Sequence, residues 1–194
     1  MRRKSHWMLG CRLIDDWMAE TPTLLSYAFL VGCVQPDFNC FSYIKGSKSV
    51  ECMKGHNFQN AYAFIQKVCN ELSQREHWSI RSYYRFGKLI HYICDAFTHP
   101  HNEHFPGDLK AHILYEHELQ HYFLKRLPQQ GTWVGNYRMD SLLSVIEEAH
   151  AQYMREPGGM QTDTEYALSV TGTLTAIAVP KPVPVCRLAP PPGA

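Results

Sequence analysis

The run Tyr83-Tyr84-Arg85-Phe86-Gly87-Lys88-Leu89-Ile90-His91-Tyr92-Ile93-Cys94-Asp95-Ala96-Phe97-Thr98-His99-Pro100-His101-Asn102 carries two patterns at once. At about 100° per residue, Tyr83, Phe86, Ile90, Cys94 and Phe97 fall within about 80° of one another, which makes the apolar stripe of a helix predicted over 78–98. His91 and Asp95 lie beside that stripe at a spacing of four, so their side chains stack on one face. A carboxylate at the edge of an apolar stripe is costly unless something compensates its lost hydration, and a cation does so. The helix then gives way to Thr98-His99-Pro100-His101-Asn102, a turn bearing two more imidazoles.

The next segment repeats the device. In Ala111-His112-Ile113-Leu114-Tyr115-Glu116-His117-Glu118-Leu119, on a helix predicted over 108–126, His112 and Glu116 are again four apart. Glu116 lies only about 40° from His112 around the helix, whereas Glu118 and His117 lie about 120° and about 140° away, so only Glu116 shares a ligand position with His112. The core direction of this helix is expected along Leu109, Ile113 and Tyr122. Seven of the eleven histidines (His91, His99, His101, His104, His112, His117, His121) fall in this region, and such clustering points to metal. Two His/carboxylate pairs flanking a His-Pro-His turn bring together the ligand types that zinc prefers. His99, His104, His117 and His121 exceed the ligand count and are read as supporting or surface groups, His77 and His150 as surface residues.

Working outward, helical patterns also cover 5–20, 24–34, 56–75, 139–155 and 162–178, with no sustained strand alternation. The fold class is all-α. The apolar helix Leu24–Val34 is expected to stop before Pro36, and Asp37 to Gly55 to form a long loop. Six prolines after Val179 predict a disordered tail over 179–194, leaving one domain over 1–178. At 194 residues, 45% hydrophobic and net charge +1, the chain has enough apolar material for a core and no global field to recruit nucleic acid. No uncharged run reaches the ~20 residues of a membrane span. The basic start Met1-Arg2-Arg3-Lys4 is followed by Arg12, Asp15, Asp16 and Glu20 rather than an apolar segment, and none of the seven cysteines forms a C-x-x-C pair. A cytoplasmic location with reduced thiols is the expectation.

His91-x-x-x-Asp95-x-x-x-x-x-His101 followed by His112-x-x-x-Glu116 resembles the metal-binding segments of the zinc-dependent phospholipase C family. Ser5-His6, Gln35-Pro36-Asp37 and Gly55-His56 stand where that family has its N-terminal His, its loop Asp and the His that opens its third helix. The resemblance implies two or three zinc ions. Asp37, His56, His91 and Asp95 would hold the first, His101, His112 and Glu116 the second, and His6 with a bridging Asp95 the third. It further implies phosphodiester hydrolysis by zinc-activated water, with Asp37 as base and phospholipid as substrate, met at a membrane surface. Secreted members use the amino group of an N-terminal Trp as a ligand, whereas five residues precede His6 here. Phe38 matches one aromatic of the family's choline pocket, but Met53 stands where another would be, so no strong choline preference is expected. Two alternatives stay open: a single-strand nuclease of the fungal zinc type, which shares the fold and ligand order, and a non-catalytic metal-binding protein.

Overall fold

A computed structural model describes residues 1–38, 58–103 and 105–180, and they form seven α-helices with no strand. These are α1 (Arg3–Trp17), α2 (Thr23–Phe38), α3 (Phe58–Ser73), α4 (Ile80–Ala96), α5 (Leu109–Gln130), α6 (Leu142–Tyr153) and α7 (Met160–Ala178), with one 3₁₀ turn at His99–His101 between α4 and α5. The all-α expectation holds. The predicted tail from Lys181 onward, most of the predicted 37–55 loop, Met53, His56 and His104 lie outside the described residues.

Helix starts follow local chemistry. Ser79 and Ser82 form a reciprocal cap at the start of α4, Ser141 and Ser144 do the same for α6, and the Asp108 carboxylate accepts from Ala111 N–H at 2.8 Å to open α5. The Gly131 N–H bonds back to Leu127 and closes α5; its φ of 67° is a conformation glycine adopts without a Cβ penalty.

α4 is the central element. Its predicted stripe of Tyr83, Phe86, Ile90, Cys94 and Phe97 is buried, and Phe29 of α2 stacks on Phe86. α2 and α4 cross through two glycines. A Cβ on Gly32 would sit 2.2 Å from the Tyr84 carbonyl oxygen, and one on Gly87 would sit 2.1 Å from that of Phe29. Only glycine lets the two backbones meet this closely, and the crossing brings the end of α2 alongside His91.

Two expectations are corrected. α2 continues through Pro36 to Phe38, so Asp37 belongs to a helical last turn and not to a loop. Proline's φ is already helical and it forfeits one hydrogen bond, a loss that burial of Val34 and Pro36 offsets at the end of a helix. On α5 the buried residues are Leu119, Phe123 and Leu127, while Leu109 and Ile113 are exposed. The first two turns of α5 project past the core and line a cleft, so the apolar stripe there faces the cleft rather than the interior.

Candidate metal centre

Four elements converge on one point. α1 supplies His6, α4 supplies His91 and Asp95, the 3₁₀ turn supplies His101, and α5 supplies His112 and Glu116. Two triads result, His6/His91/Asp95 and His101/His112/Glu116, each with its ligand atoms within 4.8 Å of one another. Asp37, from the end of α2, brings Oδ1 to 3.7 Å from His91 Nε2. Seven of the eight residues expected at the site are therefore gathered together, and the eighth, His56, lies outside the described residues. Glu116 faces the cluster and Glu118 is exposed, as the helical angles require.

The donor set fits zinc. With bonds of about 2.0–2.1 Å, two ligand atoms on one tetrahedral zinc stand about 3.3 Å apart. Asp95 meets His6 Nε2 at 3.2 Å through Oδ1 and His91 Nε2 at 3.3 Å through Oδ2. Glu116 Oε1 meets His101 Nε2 at 3.1 Å and His112 Nε2 at 3.6 Å. Tautomers agree with this reading. His91 Nδ1 lies 2.9 Å from the Cys33 carbonyl oxygen, which only accepts, so Nδ1 carries a proton and Nε2 is the ring atom turned towards Asp95 and Asp37. His6 stacks on His91 with ring centroids 4.0 Å apart, and its buried Nδ1 has no hydrogen-bond partner among the described residues.

The electrostatics show what the carboxylates demand. Burial opposes ionisation of Asp95, yet the Met1 amino group, His101, His91 and His6 together hold its carboxyl well below the usual range. Burial likewise opposes Glu116, which the Met1 amino group and its two histidines pull down. Burial and the adjacent His91 work against a charge on His6, but Asp95 outweighs them and pushes it up to about 9. The Met1 amino group lies 2.6 Å from Asp95 and 2.8 Å from Glu116, between the two triads, and these acids overcome its burial to raise it to about 12. Burial and that ammonium lower His101. Protons and the ammonium collect where the acids need cations, which is the demand a metal cluster meets.

Three supports of the site carry no signal in a pairwise reading. Asp163 of α7, fully buried, accepts from the His99 N–H at 2.9 Å, the Tyr115 hydroxyl at 2.9 Å and the Tyr153 hydroxyl at 2.7 Å, and so fixes the turn that presents His101. The Asn102 side-chain amide donates to the Ala96 and Thr98 carbonyls, and turn propensity alone marks that Asn. His150 was expected at the surface. It is instead half-buried, stacked on Phe58 at 3.7 Å, with Nε2 donating to Asn102 Oδ1 at 3.0 Å. Helix periodicity did not reveal this because its partner is a turn residue brought in from another element. His77, His117 and His121 are exposed, as expected.

Asp95, His101, His112 and Glu116 floor a cleft of about 1080 Å³, with His6 and His91 buried behind them. Trp7, Tyr27, Val31, Leu109 and Ile113 form its apolar walls, with Arg2, Arg3, Lys4 and Asp37 also lining it. No described helix is long and apolar enough to cross a membrane, and Cys11, Cys33, Cys69 and Cys94 are free thiols.

A family model described as zinc dependent phospholipase C matches residues 5–159, which span α1 through α6 and include all eight expected ligand positions. No curated protein and no solved structure matches the chain. With four-fifths of its length matched and two ligand triads in one cleft, this chain belongs to the zinc-dependent phospholipase C family.

Proposed function

We propose that this cleft holds two or three zinc ions and hydrolyses phospholipids to diacylglycerol and a phosphorylated headgroup. The observation that carries the reading is the union of two His/carboxylate triads that open through Asp95, His101, His112 and Glu116 onto a cleft with apolar walls. Asp37, His56, His91 and Asp95 would hold one ion, His101, His112 and Glu116 a second, and His6 with Asp95 a third. Bound zinc supplies positive charge for the phosphoryl oxygens and brings the pKa of water towards neutrality. Asp95, whose two oxygens face different histidines, would be the group shared between two ions.

Asp37 lines the cleft beside His91 and takes the proton of the attacking water. As the water oxygen bonds to phosphorus, the bond from phosphorus to the glycerol oxygen breaks, and the proton passes to that oxygen. The walls formed by Trp7, Tyr27, Val31, Leu109 and Ile113 receive the glycerol and acyl portion. Val31, Leu109 and Ile113 give these walls aliphatic surface that an acyl chain buries and a sugar-phosphate backbone does not.

The test is a hydrolysis panel on chelator-stripped and zinc-reloaded protein, using phospholipid vesicles and single-stranded DNA in parallel. Diacylglycerol release that depends on zinc is the expected result. Cleavage of DNA without lipid turnover would replace the lipase reading with the nuclease one, and activity on neither would leave a non-catalytic metal-binding protein.

A further inference from the structure

The three basic residues Arg2, Arg3 and Lys4 precede the span that matches the family, and all three are exposed along the cleft. Arg3 is held in a defined place. Its guanidinium carbon lies 3.8 Å from the centroid of the Phe38 ring, and its Nη2 donates to the Asp37 main-chain oxygen at 3.4 Å. These contacts join the first turn of α1 to the last turn of α2. They also set Arg3 one residue away from the carboxylate that approaches His91.

The charge in this cleft is therefore sorted. Asp95 and Glu116 face the histidines and the Met1 amino group, inside the cluster. The exposed part carries the three cations. A substrate bearing a quaternary ammonium binds through open aromatic faces, because the ring quadrupole attracts a cation with no hydrogen bonds of its own to offer. Here the chain's own guanidinium already occupies one face of Phe38, the aromatic next to Asp37, and its charge together with Arg2 and Lys4 repels a second cation approaching Phe38, Trp7 or Tyr27. A lipid whose phosphate bears the only charge meets no such repulsion.

Resting on the phospholipid reading above, we propose that Arg3, seated on Phe38, selects the headgroup. The cleft takes phospholipids of net negative charge, with phosphatidylglycerol as the representative, and disfavours phosphatidylcholine. Arg3 is then a specificity residue and not part of the zinc cluster.

The test uses dihexanoyl-phosphatidylglycerol and dihexanoyl-phosphatidylcholine as monomers, which separates headgroup choice from attraction to a charged membrane surface. Both kcat/KM and calorimetric binding are measured on the zinc-loaded full chain, its Arg3→Gln variant and its Phe38→Leu variant. The parent protein should favour the glycerol lipid by roughly tenfold. Arg3→Gln frees that face of the ring and removes the cation beside it, so it should raise phosphatidylcholine binding and shrink the ratio by about fivefold. Phe38→Leu removes the seat as well as the ring, so it should weaken the glycerol lipid without improving the choline one. Equal or choline-favouring binding by the parent, or an unchanged ratio in Arg3→Gln, overturns the proposal. If neither lipid is hydrolysed, the proposed activity falls, while the binding ratios still decide headgroup selection.

Discussion

Asp95 and Asp163 are both carboxylates stripped of water, 1% and 0% exposed, and they sit on either side of the His-Pro-His turn. Their surroundings differ in kind. Asp95 is ringed by nitrogens that carry charge or a lone pair: the Met1 amino group, His6 and His91. Asp163 is met by one backbone N–H and two phenolic hydroxyls, all neutral donors. Burial raises both, but cationic neighbours overcome it at Asp95, whereas at Asp163 three hydrogen bonds from neutral donors, with a lesser contribution from His99, only soften it, and its pKa stays above the ordinary value. A buried acid is therefore not in itself a sign of metal. The sign is a set of partners that leaves a demand for positive charge, and of these two carboxylates it is Asp95 that has it.

The strongest way to break this contrast is to neutralise Asp95. Asp95→Asn should remove more than one equivalent of zinc and lower hydrolysis by on the order of 10³-fold, because on the proposed assignment one residue would serve two ions. Elemental analysis beside the lipid assay reads both, and a fully loaded, active variant would refute the bridge. A second, slightly smaller effect is expected at the other triad. Glu116→Gln keeps the shape but loses the charge that meets His101 and His112, and it should reduce activity by about 10²-fold or more, while Glu118→Gln at an exposed position leaves it near normal. The reverse pattern would mean that the register of α5 is wrong.

Asp163→Asn sharpens the comparison from the other side. It offers one acceptor where three donors converge, so unfolding free energy should fall by about 2 kcal/mol in denaturant titrations. Zinc at His6, His91 and Asp95 should stay bound, since nothing there touches Asp163. Loss of all zinc in this variant would show that the two carboxylates belong to one system.

The smallest effect concerns His150, which joins the turn to α6. Burial holds it neutral and lowers its pKa to about 4. The unfolded chain takes up that proton near pH 6.5, so the unfolded state binds more protons between the two values. This contribution to stability is complete above pH 6.5 and is lost as the pH falls towards 4. Between pH 7 and pH 5 it amounts to about 1–2 kcal/mol, and urea melts of His150→Gln should show a correspondingly flatter pH dependence.

The same contrast explains what the sequence disclosed. Asp95 was legible because its key partner sits one turn away on the same helix, and the 3.6-residue period converts spacing into a shared face. His112 with Glu116 was legible for the same reason, and so were the buried stripe of α4 and the all-α fold. Asp163 was not, since its partners lie 10, 48 and 64 residues away on other elements and two of them are tyrosines that helical spacing assigns to packing. The direction of α5 was misread because Leu109 and Ile113 obey the helical period but face a cleft, and periodicity cannot tell a cleft wall from a core. The passage of α2 through Pro36 was hidden because a proline's effect depends on whether the helix has further to run, and that is set by packing.

The central claim, that the two triads form a zinc cluster, is tested most directly by counting zinc in protein purified after zinc-replete expression, with a melting curve before and after chelation. Two or three equivalents per chain are expected, with a melting temperature that falls by several degrees on chelation, because the acids and histidines lose the cations that compensate them. Less than one equivalent, or a melting curve indifferent to the chelator, would contradict it.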